Sequence, residues 1–161
     1  MIQLFTELQE KKNVRSNLSA LRASLKEATE EQKAQAIEFV RGHEDLVFGF
    51  LQEEDAKTRK NAALLLGDLA VQNALQPLWK AYTREQTLFV KSAYLEAMKA
   101  LHAEEILSQL KDRLAELEGE PVTEENRKHR EAELRALRAI LIQYEGIDTH
   151  HFDIKQKNNH V

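Results

Sequence analysis

The sequence predicts an all-α fold built as a solenoid of antiparallel helix pairs, and three observations lead there. Of 161 residues, 31% are charged and 42% hydrophobic, with only five Gly and two Pro. That balance belongs to helical solenoids and bundles rather than to disordered or β-rich chains. Apolar residues recur at three- and four-residue spacing along most of the chain, the period of helices with one buried face. Finally, the stretch from Asp55 to Tyr82 reads as two short amphipathic helices back to back. It overlies a second copy after about 32 residues, the period of helical solenoids.

Each element has its own local reason. Ile2, Phe5 and Leu8 have helical spacing within residues 2–12. Val14, Leu18, Leu21 and Leu25 form the next stripe, with Asn13 placed to cap it. Thr29 and Gln32 have capping-box spacing and open a helix through Ile37, Phe39 and Val40 that stops at Gly42. The run from Leu46 to Leu51 is almost continuously apolar, so a short helix over 44–53 is expected to pack on several sides. Gly67 falls inside a helix, where it costs about 1 kcal/mol relative to Ala; close approach of a neighbouring helix is the usual return. Pro77 falls in a first turn, where a missing N–H matters least. Trp79, beside Leu75 and Leu78, reads as a partly buried structural indole.

Beyond Leu117, Gly119 and Pro121 break the period. Thr123 is expected to cap a last helix of roughly 22 residues that ends at Gly146 and closes the solenoid. Leu134, Leu137, Leu141 and Tyr144 form its inner stripe, and Glu124–Lys128 and Glu131–Arg135 are spaced for ion pairs on the wet face. Helical periodicity stops after Gly146. The chain therefore divides into a repeat domain, 1–146, and a non-helical tail or linker to a missing downstream domain, 147–161.

The repeat holds position by position. Thr58, Arg59, Leu66, Leu69, Leu75, Leu78 and Tyr82 map onto Val90, Lys91, Met98, Leu101, Leu107, Leu110 and Leu114, and only small Ala62 meets a large residue, Tyr94. The first unit resembles a HEAT repeat, whose first helix typically runs acid-x-x-Val-Arg-x-x-Ala-x-x-x-Leu-Gly-x-Leu. Asp55, Arg59, Ala62, Leu66, Gly67 and Leu69 match that pattern, and Thr58 departs from it. Ala74, Leu75, Pro77, Leu78, Ala81 and Tyr82 match the second helix. The unit over 87–117 lacks both the Gly and the Pro, and 29–54 is a degenerate earlier unit.

This resemblance implies a right-handed, armadillo-type α-solenoid of roughly four helix pairs, with the second helix of each pair lining a concave face. It implies that Arg59 pairs with an acid of a neighbouring repeat. On that geometry Gln76, Lys80, Thr83, Gln109, Lys111 and Asp112 are the residues expected to contact a partner.

Several function classes drop out. No cysteine is present, so thiolate chemistry, disulfides and cysteine-ligated zinc are excluded. The start of the chain has no basic region followed by an apolar run and no stretch reaches membrane-span length, so a cytoplasmic protein is expected. The net charge of −4, with acids and bases interspersed, argues against phosphate-backbone binding. His43 and Glu44 form a His-Glu dyad of the kind that deoxyhypusine hydroxylase, itself built from HEAT repeats, uses to bind iron. One dyad with no partner at the repeat offset cannot build that site, and His43 reads as a helix-terminus residue. His150, His151 and His160 lie in a loop without metal geometry.

Lys57, Arg59 and Lys60 form one basic cluster; Arg127, Lys128, Arg130, Arg135 and Arg138 form another, interleaved with Glu124, Glu125, Glu131 and Glu133 as a salt-bridged wet face. Paired acids such as Glu30 and Glu31, or Glu104 and Glu105, sit at helix ends. No phosphate loop or nucleophile arrangement is present.

The expectation is a non-catalytic protein-interaction scaffold with no cofactor and no metal. Its partner is another protein or a downstream domain of the same protein. Two alternatives remain open. One is the N-terminal accessory module of a larger enzyme, because the tail around Phe152 to Lys155 is similar to a linker in bacterial RNA methyltransferase-like proteins. The other is a nucleic-acid binder resembling HEAT-like DNA glycosylases.

Overall fold

Side-chain caps mark the starts of α3 (Glu30–Gly42) and α5 (Ala56–Asp68). In the computed structural model, which describes residues 1–145, every regular element is helical: nine α-helices and two short 3-10 turns, with no strand among the described residues. The expected helix end at Gly146 and the segment 147–161, with His150, His151 and His160, lie outside the described residues. No described helix is long and apolar enough to cross a membrane. The chain forms two compact units, Met1–Leu101 and one beginning at His102.

The first unit contains α1 (Ile2–Gln9), α2 (Val14–Lys26), α3 (Glu30–Gly42), α4 (Glu44–Phe50), α5 (Ala56–Asp68), α6 (Leu75–Arg84) and α7 (Leu88–Lys99). The expected capping box opens α3: the Thr29 hydroxyl accepts from the Gln32 N–H at 3.1 Å, and the Gln32 side chain accepts from the Thr29 N–H at 3.0 Å. Asp55 opens α5 by accepting from the Thr58 N–H and the Thr58 hydroxyl, at 2.9 and 2.7 Å. Thr58, which departs from the HEAT pattern, is thus a buried hydroxyl satisfied by the cap.

Two local expectations are corrected. Asn13 stands at the N-cap of α2 as expected, but its side chain makes no capping bond; it has φ 45 and gives α2 a left-handed entry, a conformation Asn tolerates better than most residues. Helix α4 stops at Phe50 rather than running to 53: residues 51–53 tighten into i→i+3 turns, with the N–H groups of Leu51, Gln52 and Glu53 bonded to the carbonyls of Phe48, Gly49 and Phe50.

Polar contacts fix the direction of neighbouring helices. Arg15, early in α2, pairs with Asp55 at the start of α5, and Arg22, late in α2, pairs with Asp68 at its end. Helices α2 and α5 therefore run the same way. Arg59, early in α5, reaches Glu85 just ahead of α7. Near the opposite ends, a Cβ added to Gly67 would lie 2.9 Å from Ala97 Cα. So α7 runs parallel to α5 as well, and α6 carries the chain back between them. The residue without a side chain sits where two backbones come closest, as the mid-helix Gly predicts. Helix α5 packs against α2, α4 and α7 and is buried without a break from Ala62 to Gly67.

The sequence repeat reappears in the elements. Helices α5 and α6 begin at Ala56 and Leu75, and their counterparts begin at Leu88 and Leu107, each about 32 residues on. Thr58, Leu66, Leu69, Leu78 and Tyr82 are buried, as are Val90, Met98, Leu101, Leu110 and Leu114 at the mapped positions. The 3-10 turns Gln72–Ala74 and Ala103–Ile106 precede the second helix in both copies.

In the second unit, α8 (Leu107–Gly119) packs against α9 (Arg127–Glu145). Leu134, Leu137 and Leu141 are buried as expected, together with Ile140 and the carboxylate-bearing Glu133. The Tyr144 hydroxyl accepts from the Ala103 N–H at 2.6 Å. Thr123 and Asn126 exchange the same reciprocal bonds as Thr29 and Gln32, and the Arg127 N–H bonds to the Thr123 carbonyl, so Thr123 caps the turn that leads into α9 at Arg127. Glu124 then pairs with Arg127 rather than with Lys128.

Candidate functional site

Two connecting segments, 51–55 and 85–87, meet above the starts of α5 and α7, and the chemistry of the first unit gathers there. Arg59 is the centre. Its Nε and Nη2 donate to the two oxygens of Glu85, both at 2.9 Å, while Nη1 donates to the Glu53 and Glu54 carbonyls, both at 2.8 Å. The fork geometry matches a carboxylate with two parallel bonds. The Glu85 side chain is only 6% exposed and that of Arg59 16%. The Thr87 N–H donates to Oε2 of Glu85 at 3.2 Å, and the Tyr94 hydroxyl donates to Oε1 at 3.2 Å.

Charge states follow from these partners. Burial pushes the Glu85 carboxyl upward, but the Arg59 guanidinium, the Thr87 N–H and the Tyr94 hydroxyl outweigh it, leaving Glu85 below the ordinary carboxylate value. Arg59 is held more firmly protonated, chiefly by its bonds to Glu85. Burial, reinforced by the Glu85 charge, raises Tyr94 and keeps its phenol neutral. With both oxygens bonded and its charge fixed, Glu85 is a clamp between segments rather than a base waiting for a proton.

Over this clamp lies an open groove of about 760 Å³. One wall is α6, presenting Gln76, Lys80 and Arg84; the other is the 52–54 segment, with Gln52, Glu53 and Glu54. Neither Lys80 nor Arg84 forms an ion pair among the described residues, and the Glu53 and Glu54 carboxylates carry none either. Phe48 and Pro77 supply the apolar surface between the walls.

Of the residues expected to contact a partner, Gln76 and Lys80 line this groove and are exposed. Thr83 is exposed on the same helix, with its hydroxyl donated back to the Lys80 carbonyl at 2.7 Å. Gln109 is half-buried and Lys111 and Asp112 are exposed on α8, in the second unit. Sequence reasoning missed Glu85, Tyr94 and Arg84. One signal was present: Tyr94 is the large residue that breaks the repeat map opposite Ala62.

The other candidate groups have structural roles. The His43 ring bonds to the Phe39 carbonyl at 2.8 Å and to Gln9 Nε2 at 2.6 Å, and it stacks on Phe39 at 4.5 Å, which stacks in turn on Phe5. Glu44 of the dyad accepts from Asn73. No group of three or more His, Cys, Asp or Glu side chains is arranged to hold a metal among the described residues. Within the second basic cluster, Arg130 donates to the Leu117 and Glu118 carbonyls at the end of α8, and Arg138 pairs with Glu118 at 3.8 Å. Trp79 is half-buried and lies 5.4 Å from the Tyr82 ring.

The chain matches no protein-family model, no curated protein and no solved structure.

Proposed function

We propose that the chain is a non-catalytic protein-interaction scaffold of the cytoplasm, a short right-handed HEAT-like solenoid closed by α9, whose groove along α6 receives a segment of a partner protein. The groove itself carries the reading. Its floor is stiffened by the Arg59–Glu85 clamp, so little ordering is lost when a ligand docks. Its walls keep their polar groups unspent: Lys80 and Arg84 on one side, the Glu53 and Glu54 carboxylates on the other. Opposed signs across one groove suit a polypeptide with both charges better than a phosphate backbone, which the two glutamates would repel. The parallel course of α2, α5 and α7, with α6 carrying the chain back from α5 to α7, supports the solenoid part of the reading.

A photo-crosslinking residue in place of Gln76 tests it. The expected product is a discrete adduct to a partner protein, lost when Lys80→Glu and Arg84→Glu are combined and absent when the crosslinker replaces exposed Ser19 on α2. Equal labelling from both positions, or labelling indifferent to the charge reversals, defeats the proposal.

A further inference from the structure

A second surface of the first unit, away from the groove along α6, has a different chemistry. Two depressions of about 410 and 550 Å³ share Ile37, Leu69 and Ala70 and therefore form one trough. Its long wall is α3, on which Lys33, Ile37 and Arg41 follow one another at one-turn intervals and so lie in a single row. The end of α2 adds Arg22 and Lys26. The floor beside α3 is apolar, with Leu25, Leu69 and Val71 buried and half-buried Ile37 and exposed Ala70 at the surface, and Gln72 and Asn73 close one end.

The charge of this trough runs against that of the chain. Arg22, Lys26, Lys33 and Arg41 line it against the carboxylates of Asp68 and Glu44, whereas the whole chain carries −4. Both carboxylates are already engaged, Asp68 with Arg22 at 2.8 Å and Glu44 with Asn73. Glu30 lies at 3.8 Å from Lys33, at the far end of α3. Lys26 and Arg41 are exposed and have no ion-pair partner among the described residues. An apolar floor between unspent cations is complementary to a segment that carries carboxylates beside apolar anchors.

We infer that the trough between α3 and the α5–α6 turn docks an acidic amphipathic segment of a partner protein, with apolar side chains seated over Ile37 and Leu69 and carboxylates facing Lys26, Lys33 and Arg41. The cations set the sign and speed of the encounter, and the apolar floor distinguishes this ligand from a plain polyanion. The inference is independent of the groove along α6, because it uses none of that groove's residues.

The test uses the full chain and a fluorescein-labelled synthetic peptide of about 12 residues, rich in Asp and Glu and carrying two Leu anchors. Saturable anisotropy is expected at low salt, weakened about tenfold in the Lys33→Glu, Arg41→Glu double variant. Both side chains are exposed, and circular dichroism verifies that the variant remains folded. Amide shifts in the wild-type complex should concentrate at Lys33, Ile37, Arg41 and Ala70, and Lys80→Glu should leave the affinity unchanged. Absence of saturable binding overturns the inference, as does equal binding by the double variant. Equal affinity for a peptide with Ser in place of Leu, or for duplex DNA, also overturns it, since either would reduce the trough to a non-selective cationic patch.

Discussion

Arg59 and Glu85 meet through two parallel 2.9 Å hydrogen bonds at the floor of the groove, with their side chains 16% and 6% exposed, joining the first turn of α5 to the segment that leads into α7. Arg59 also holds the two carbonyls that end the preceding connection. One side chain thus ties the start of α5 to the connection just before it and to a segment 26 residues further on. A largely buried ion pair contributes little net energy as a unit, but removing one partner strands the other charge.

Glu85→Ala is therefore expected to cost about 3 kcal/mol, since loss of one partner of a buried pair costs roughly 3–5 kcal/mol. Urea unfolding followed by circular dichroism reads this directly. The Arg59→Met, Glu85→Ala double variant should lose less than the sum of the two single losses, because the second substitution removes the stranded charge.

The same pair makes stability depend on pH. Glu85 sits below its ordinary value of 4.5 in the folded chain, so its contribution is full above that value and fades as pH falls through the lower folded value. Asp55 is lowered too, first by the Thr58 hydroxyl, and shifts in the same sense. Thermal unfolding should show melting temperature falling as pH drops below about 4.5, with a shallower fall in Glu85→Gln. An unchanged slope in that variant contradicts the assignment.

Gly67→Ala should destabilise the protein although it improves helix propensity. The new methyl would lie 2.9 Å from Ala97 Cα and 3.2 Å from Ala97 Cβ, and the nearer contact is backbone that cannot swing aside. Overpacking typically costs 1–3 kcal/mol, against a propensity gain of about 1. Denaturant midpoints should fall, and Ala97→Gly in the same chain should restore part of the loss.

Ala70→Gly should do the opposite. Ala70 has φ 51 and ends α5 with its N–H bonded to the Gly67 carbonyl, while the Val71 N–H returns to that of Leu66. This is a left-handed helix exit at which Gly is preferred. The left-handed region costs an L-residue roughly 1–2 kcal/mol, partly offset by the added freedom of Gly in the unfolded chain. A net gain of about 1 kcal/mol in urea unfolding is expected, while Ala70→Val should lose stability.

Much of the local structure was legible because it depends on neighbours in sequence. The Thr29–Gln32 box and the buried positions of α2 and α5 lie where spacing puts them. Misreadings came where a distant group intervened. Glu85, which no spacing singled out, is held by Arg59 from 26 residues away. Glu133, read as part of a wet face, is buried because Arg113 on α8 reaches its carboxylate at 3.2 Å. Lys91, the repeat counterpart of Arg59, lies 5.5 Å from the centre of the Tyr82 ring; equal places in a repeat need not share a partner.

The sequence by itself determined that the chain is helical, where most of its helices begin, and that a pair of them recurs. Those properties follow from propensity, apolar period and, at α3 and α5, a side-chain cap, all of which act within a few residues. Only the tertiary structure decided which charges are spent and which are left over. Arg22, Arg59 and Arg130 are consumed by groups 46, 26 and 13 residues away, while Lys80, Arg84, Lys26 and Arg41 remain available at two separate surfaces. A salt bridge is fixed by geometry between distant segments, and no periodicity along the chain records that geometry.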